Sequence, residues 1–325
     1  MKEFEAKREI IAFFRNKRDK FISGEDISDS LGFSRASVWK YIKKLREDGY
    51  SIEAVPNLGY KLAATPAKMY GYDIASVLKT RKFGKKNIYH YESIDSTNNK
   101  AYELAESGEP EGTVVIAENQ TQGKGRMGRR WVSPKGTGIY MSLIVRPDAE
   151  MDEIPAMTLI TAYCIIKAVK DASGLEARMK WPNDVIVNGK KLCGILTEIK
   201  AQPDQVNFLV LGIGVNVNTP SSKLPPEGTS IKNECGCEID RPDLARGILT
   251  QFEKGYTRFT NEGFGAIRKE CMDCSFTLGK KVKVLEHHRS IEGEAVDIDE
   301  KGALIIRTAS GEKRRVFSGD VDVLR

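Results

Sequence analysis

Apolar positions along the chain change period twice, and the changes divide it into three sections. In the first, Val38, Ile42 and Leu45 recur at i, i+4 and i+7, the spacing of one buried helix face. That predicts a helix over Arg35–Glu47, opened by Ser34 as N-cap and ended at Gly49. A shorter helix is expected over Glu25–Leu31, capped by Ser23 or Gly24, with Ile27 and Leu31 as the facing apolar pair. Gly32 turns the chain between the two, and Met1–Ile11 is charged and helical in pattern. The strands Ser51–Val55 and Tyr60–Leu62 then flank the turn Pro56-Asn57-Leu58-Gly59.

Thr65-Pro66-Ala67-Lys68 reads as a linker, because Pro66 restrains the residue before it and ends regular structure. The second section mixes strands and helices. Ile88–Tyr91, Gly138–Val145 and Val185–Val187 read as strands, Lys100–Glu106 as a helix, and the apolar stretch Phe208–Val215 as a buried strand. From about residue 276 short alternating segments predict a small all-β unit: Lys281–Leu285, Gly293–Asp297, Ala303–Arg307 and Glu312–Phe317. The expected domains are therefore 1–64, 65–275 and 276–325.

Helix, turn, helix and hairpin in that order are the pattern of a winged helix-turn-helix, whose second helix reads the major groove. Its solvent face offers Arg35, Ser37, Lys40, Tyr41 and Lys44, suited to phosphates and base edges. A small helical domain that binds protein is the competing reading. Charge decides little by itself: 51 Lys+Arg against 45 Asp+Glu leave a formal +6, which permits a polyanionic partner without requiring one. No run approaches the roughly 18 apolar residues of a membrane span, and nothing at the start reads as a targeting signal. A cytoplasmic protein without a membrane partner is expected.

Cys164 and Cys193 fall in apolar segments and read as core. Cys235-Gly-Cys237 and Cys271-x-x-Cys274 could together offer four thiolates to zinc, but a CxC pair is unusual in such sites. Reduced structural or surface cysteines are the expectation, with no protein-bound metal.

The densest chemistry lies in Gly123-Lys124-Gly125-Arg126-Met127-Gly128-Arg129-Arg130-Trp131. It satisfies GxGxxG yet opens no helix, so it is not a dinucleotide fingerprint. Residues 121–135 hold five Lys or Arg and no acid. Glycines let backbone amides approach an anion, cations neutralise it, and Trp131 adds a face for stacking. Three further segments complement this loop: Ser93–Asn99, Lys180-Trp181-Pro182-Asn183-Asp184, and Gly212-Ile213-Gly214-Val215-Asn216-Val217-Asn218.

Taken together, the four segments resemble the biotin–protein ligase family, with GKGRMGRRW and KWPND as the specific motifs. The resemblance implies an α+β multidomain fold: an N-terminal winged helix-turn-helix, a central mixed α/β ligase core and a C-terminal small β-barrel. It implies that biotin and ATP, with Mg²⁺ on the phosphates, form biotinyl-5′-adenylate, which a carrier-domain lysine of a carboxylase then attacks. By the same resemblance Ser96, Thr97, Asn98 and Gln120 would line the biotin ureido pocket. Lys124, Gly125 and Arg126 would close over the acyl-phosphate, and Lys180 would contact the carboxylate and the α-phosphate. Trp131 and Asn216 would lie by the adenine, Arg129 by the phosphates, and Asp320 and Arg325 would reach the nucleotide. Lys180 and Arg126 are the expected catalytic groups; no nucleophile is needed, and His90, His287 and His288 fit no triad. Operator DNA is the further expected partner, bound by a homodimer that forms with biotinyl-adenylate. The alternatives are a ligase whose N-terminal section binds no DNA, and a biotin-sensing transcription factor without catalysis.

Overall fold

The computed structural model describes residues 2–17, 20–202, 205–286 and 289–324. They fall into two compact units, Met1–Lys79 and Thr80–Arg325.

The first unit contains α1 (Lys2–Asn16), α2 (Gly24–Leu31), α3 (Arg35–Glu47), the hairpin β1 (Ser51–Val55) and β2 (Gly59–Ala64), and α4 (Gly71–Ser76). Both central helices start as their sequence dictates. Ser23 Oγ accepts from the Asp26 amide at 2.9 Å, and Ser34 Oγ from the Ser37 amide at 3.2 Å. Gly32 ends α2 in the left-handed conformation, φ 67°. Ile10, Ile11 and Phe14 of α1 pack with Ile27, Val38, Ile42 and Leu45 into one core. The hairpin closes that core with Ile52 and is fixed by reciprocal 2.8 Å bonds between Ile22 and Tyr60.

The unit runs past the boundary expected at residue 64. The Tyr70 and Tyr72 rings stack at 5.2 Å, the Tyr72 hydroxyl donates to Asp48 at 2.7 Å, and buried Asp73 receives Arg15 of α1 at 2.9 Å. The pattern predicts a linker at 65–68; the chain beyond it returns to pack on α1 because of this Arg15–Asp73 pair. Local sequence carries no sign of it, since the two residues lie far apart along the chain.

The second unit is built on a seven-stranded sheet in the order β3-β4-β5-β9-β8-β7-β6. Its strands are β3 (Ile88–Tyr91), β4 (Val114–Ala117), β5 (Gly138–Val145), β6 (Arg178–Lys180), β7 (Asp184–Val187), β8 (Lys190–Gln202) and β9 (Gln205–Asn216). Of these strands only β3 and β4 pair in parallel. One face carries α5 (Thr97–Glu106), whose Ala101 and Ala105 pack on Val115, Ile144, Phe208 and Val210. Against the sheet and one another pack α6 (Ile154–Ser173) and α8 (Arg241–Glu262), with α9 (Gly265–Asp273) on both helices and short α7 (Ile231–Cys235) before α8. The Thr158 and Thr197 hydroxyls, 2.9 Å apart, fix α6 to β8.

A second sheet, order β13-β12-β11-β10-β14, comprises β10 (Lys281–Glu286), β11 (Arg289–Ile298), β12 (Leu304–Arg307), β13 (Lys313–Val316) and β14 (Asp320–Val323). All its pairings are antiparallel. Among the described residues β13 and β14 remain separate edges, so the expected closed barrel is an open sheet. Alternation along single strands is the same in both forms; only the pairing of the first and last strand separates them. Trp181 anchors this sheet to the core, its buried indole donating to the Gly302 carbonyl at 3.1 Å and its amide to Thr277 Oγ1 at 3.0 Å.

Gly59 offers a test of the wing. It sits at φ 101°, and a Cβ there would lie 2.0 Å from the Ile22 carbonyl oxygen. Gly59→Ala is expected to destabilise the first unit by about 1–3 kcal/mol through strain at a left-handed position and displacement of the hairpin. Thermal unfolding of the variant checks this; a midpoint equal to the parent's would show that the wing tolerates a side chain there.

Candidate active site and nucleic-acid interface

The site begins with missing side chains. On β9 the residues under α5 are Phe208 and Val210, and strand alternation continues that face through Gly212, Gly214 and Asn216. Gly214 pairs with Gly194 of β8, so two glycines meet across neighbouring strands. The Trp131 indole lies on that bare patch. A Cβ on Gly214 would come within 2.6 Å of the ring and one on Gly194 within 3.0 Å. Lys191 Nζ stands 5.6 Å from the ring centroid, within cation–π range, and pairs with Asp184 at 2.7 Å. The indole N–H is buried and has no hydrogen-bond partner among the described residues. A Cβ on Gly212 would strike Asn98 Oδ1 at 2.1 Å.

Beside Asn98 lies a closed polar network. Gln120 Oε1 accepts from the Thr97 amide at 2.8 Å and from its hydroxyl at 3.1 Å, while its amide donates to Ser133 Oγ at 3.0 Å. Ser142 Oγ lies 2.8 Å from Thr97 Oγ1 and 2.6 Å from Asn98 Oδ1, and Asn98 Nδ2 donates to Glu198 at 2.7 Å. Sequence patterning puts the helix start at Lys100; it is at Thr97, with Ser96 as N-cap, so the polar cluster is itself the first turn of α5. The Gln120 bonds to Thr97 account for the earlier start.

The basic loop folds back over this floor. Gly125 N donates to the Arg129 carbonyl at 2.7 Å and Trp131 N to the Gly123 carbonyl at 2.8 Å. Gly123 has no room for a side chain, since a Cβ would lie 2.5 Å from the Trp131 carbonyl oxygen. Arg126 reaches Asn183 Oδ1 at 3.1 Å and the Gly319 carbonyl at 3.2 Å, joining the loop to both the lysine motif and the C-terminal sheet. Burial lowers the Arg126 pKa; Asp184 opposes the shift and Arg129 adds to it. Arg129 pairs with Asp320, and Lys124 lies 3.4 Å from Glu198. Lys180 ends β6 half-buried, and its ammonium makes no ion pair or hydrogen bond among the described residues.

One cavity of about 360 Å³ collects these groups. Ser96, Thr97, Asn98, Gln120, Lys124, Gly125, Arg126, Arg129, Trp131, Lys180, Asn216 and Asp320 all line it. Arg325 lies outside the described residues, as do His287 and His288. Sequence reasoning quoted Asn183 within its motif without giving it a role, and it missed Lys191 and the wall formed by Leu224, Pro225, Glu227 and Gly228, beside which the Asn216 side chain donates to the Thr229 carbonyl at 3.0 Å. Lys191 had one local sign, the Asn188-Gly189 turn just before it.

On α3 the expected face divides. Arg35 and Lys40 are exposed, with Arg35 paired to Glu25, and Ser37 lies beside its cap, its hydroxyl 2.9 Å from that of Ser34. Tyr41 instead packs on Phe33 at 6.0 Å, and Lys44 bonds to Glu3 of α1. The exposed face that remains includes two residues the pattern did not single out. Trp39 is 60% exposed, and Lys43 lies 5.9 Å from its ring. An exposed tryptophan between cations was the available signal. Cys164, Cys193 and Cys271 are buried, and the described residues contain no group of three or more potential metal ligands. No described helix is long and apolar enough to cross a membrane.

The geometry defines a class first: a chain with a winged helix-turn-helix unit and an α/β core whose glycine floor and basic loop suit an anion and a flat ring. Comparison with known proteins narrows it. Residues 7–61 match an HTH domain, 91–218 the biotin/lipoate A/B protein ligase family, and 277–324 the biotin protein ligase C terminal domain. The bifunctional ligase/repressor BirA of Bacillus subtilis (strain 168) is 39% identical over 98% of both chains. The biotin--[acetyl-CoA-carboxylase] ligase of Mycobacterium tuberculosis is 34% identical over 71% of this chain and 86% of that protein. The biotin protein ligase from Aquifex aeolicus in complex with biotin and ATP superposes with a TM-score of 0.64 at 28% identity, over 74% of this chain and 99% of that one. The chain belongs to the biotin–protein ligase family, in its group of bifunctional ligase/repressors.

Gly214→Ala tests the floor. It is expected to push the Trp131 ring aside, altering intrinsic fluorescence, and to weaken ATP binding by roughly tenfold, about 1.4 kcal/mol. Unchanged fluorescence and unchanged affinity would place the indole elsewhere.

Proposed function

We propose that the protein is a biotin–protein ligase of the cytoplasm and also a DNA-binding repressor. The observation that carries the ligase reading is the convergence of four sequence-distant segments on one cavity, where an unpaired lysine meets a basic loop. Biotin would place its ureido ring in the network of Ser96, Thr97, Asn98 and Gln120. Its carboxylate oxygen would attack the α-phosphorus of ATP, forming the biotinyl-adenylate as pyrophosphate leaves. Like charges must be offset for that approach, and Lys180 with Arg126 supplies the compensation in a partly dry site. Lys124 and Gly125 would close over the acyl-phosphate, Arg129 would lie along the phosphates, and Trp131 and Asn216 would hold the adenine. Mg²⁺ would enter on the nucleotide, held chiefly by phosphate oxygens and water. An uncharged lysine amine of the carboxylase carrier domain would then attack the acyl carbon and expel AMP.

Lys180→Ala is expected to reduce adenylate formation by about a hundredfold or more, in line with loss of a transition-state electrostatic donor. Turnover of biotin and ATP near that of the parent would remove Lys180 from the mechanism.

The repressor reading rests on the exposed row Arg35, Trp39, Lys40 and Lys43 of α3. Arg35 suits a base edge, Trp39 an apolar contact such as a thymine methyl, and the lysines phosphates. Arg35→Ala is expected to weaken specific binding by about 1–3 kcal/mol, whereas Lys43→Ala should weaken all sequences alike and flatten the salt dependence. Equal losses on selected and random DNA for both variants would overturn the base-reading role of Arg35.

Two half-sites engaged together would strengthen operator binding, so a homodimer favoured by biotinyl-adenylate is part of this reading. Adenylate that orders the basic loop removes an entropic cost of docking. Sedimentation with biotin and MgATP is expected to raise the mass and operator affinity together; no change in either would separate ligation from repression.

A further inference from the structure

Cys235 and Cys237 are used neither by the core nor by the cleft. Their Sγ atoms lie 3.3 Å apart at the end of α7, with Cys237 exposed and Cys235 half-exposed. By contrast Cys164, Cys193 and Cys271 are buried. Gly236 between the pair sits at φ 78° with open space about its Cα, so the backbone turns tightly there without a steric obstacle. Both flanks of the pair are pinned. On one side Glu234 accepts from Asn188 Nδ2 at 2.6 Å and from Thr229 Oγ1 at 2.5 Å. On the other, Ile239 and Asn218 exchange two bonds of 2.9 and 3.0 Å.

We propose that Cys235 and Cys237 are a thiol modification site, an oxidisable dithiol whose co-substrate is a small-molecule disulfide. One cysteine thiolate attacks a sulfur of that disulfide and releases one small thiol. The other cysteine then attacks the resulting mixed disulfide, releasing the second small thiol and closing the Cys235–Cys237 bond. Two electrons and two protons pass from the protein dithiol to the small disulfide. The Cys237 thiol's hydrogen bond to the Cys235 sulfur favours its protonated form and raises its pKa, so exchange accelerates as pH rises.

Closure brings the sulfurs from 3.3 Å to a bond of about 2.05 Å, a contraction that pulls on the pinned flanks. Glu234 is the residue next to the bond, Thr229 is its partner, and the Thr229 carbonyl receives Asn216 of the cleft. Oxidation therefore loosens the wall that holds Asn216. This second step rests on the reading of Asn216 as a nucleotide-side residue; the dithiol chemistry does not.

The test treats the reduced full-length protein with oxidised glutathione and maps the products by mass spectrometry. The peptide holding residues 235–237 should lose two hydrogens, while Cys237→Ser should stop with one glutathione on Cys235. Stable glutathione adducts on the parent, with no loss of two hydrogens, would overturn the dithiol. The oxidised parent should then show a several-fold higher KM for ATP that dithiothreitol reverses. The double variant Cys235→Ser, Cys237→Ser should keep one KM throughout the same treatment. A disulfide that forms without moving the KM would overturn the link to Asn216 and leave the modification site standing.

Discussion

The cleft depends on a strip of sheet without side chains. Gly212 and Gly214 continue the face that Phe208 and Val210 bury under α5, and Gly194 meets Gly214 across the strands. Any larger residue at these positions would displace Asn98 or the Trp131 indole. The floor in turn sets where the basic loop rests, because Trp131 is the loop's last residue and its amide bonds back to Gly123. Glycine costs backbone entropy on folding, and a strand interior gains no packing from it. Three of them in the centre of a sheet make sense where another group must lie against the backbone.

Above that floor the sequence gathers cations, and the structure gives most of them local partners. Arg129 has Asp320, Lys191 has Asp184 and Lys124 approaches Glu198. Such pairs near solvent are worth about 0–1 kcal/mol each. Arg126 is tied to a carbonyl and an amide oxygen instead, so its charge is less compensated, and Lys180 has no partner of either kind among the described residues. Under the proposed reading these two carry the charge that the reacting anions require. The pairing pattern thus separates residues that hold the loop from residues available to the reaction, a distinction composition could not make.

Local rules place α3 and β5 to the residue, because caps, turns and periodicity are encoded by near neighbours. The same rules assemble the candidate cleft, since each motif carries its own chemistry and only proximity is lacking. They fail where a distant partner decides. Lys44 sits at a face-compatible position of α3, yet Glu3 draws it to α1. Nothing local to Asp73 foretells its burial, which comes with Arg15 of α1 beside it. The strand β14 escapes notice because Asp320–Val323 is short and half acidic, and its identity as a strand comes from pairing with β10. Closure of a sheet is likewise a property of its two edges, which no single strand reports.

The weak pairs of the loop also explain how one segment could hold its shape and still accept a phosphate. Glu198 and Asp320 engage Lys124 and Arg129 at the rim of the cleft. Phosphate oxygens make short, charge-assisted bonds to such cations, roughly twice as strong as neutral ones. Under the ligase reading, exchanging a carboxylate partner for a phosphate costs little, because both make charge-assisted bonds, and it frees two acids at the rim. Arg126 behaves differently, since its bond to the Gly319 carbonyl spans the loop and the C-terminal sheet. That sheet already brings Leu285, Asp320, Val321 and Asp322 to the cavity wall. A bond that survives ligand entry would make the sheet part of the lid rather than a neighbour of it. Under the ligase reading, a lid built from two elements of the same unit keeps the adenylate from water on both sides, which a flexible loop alone could not do.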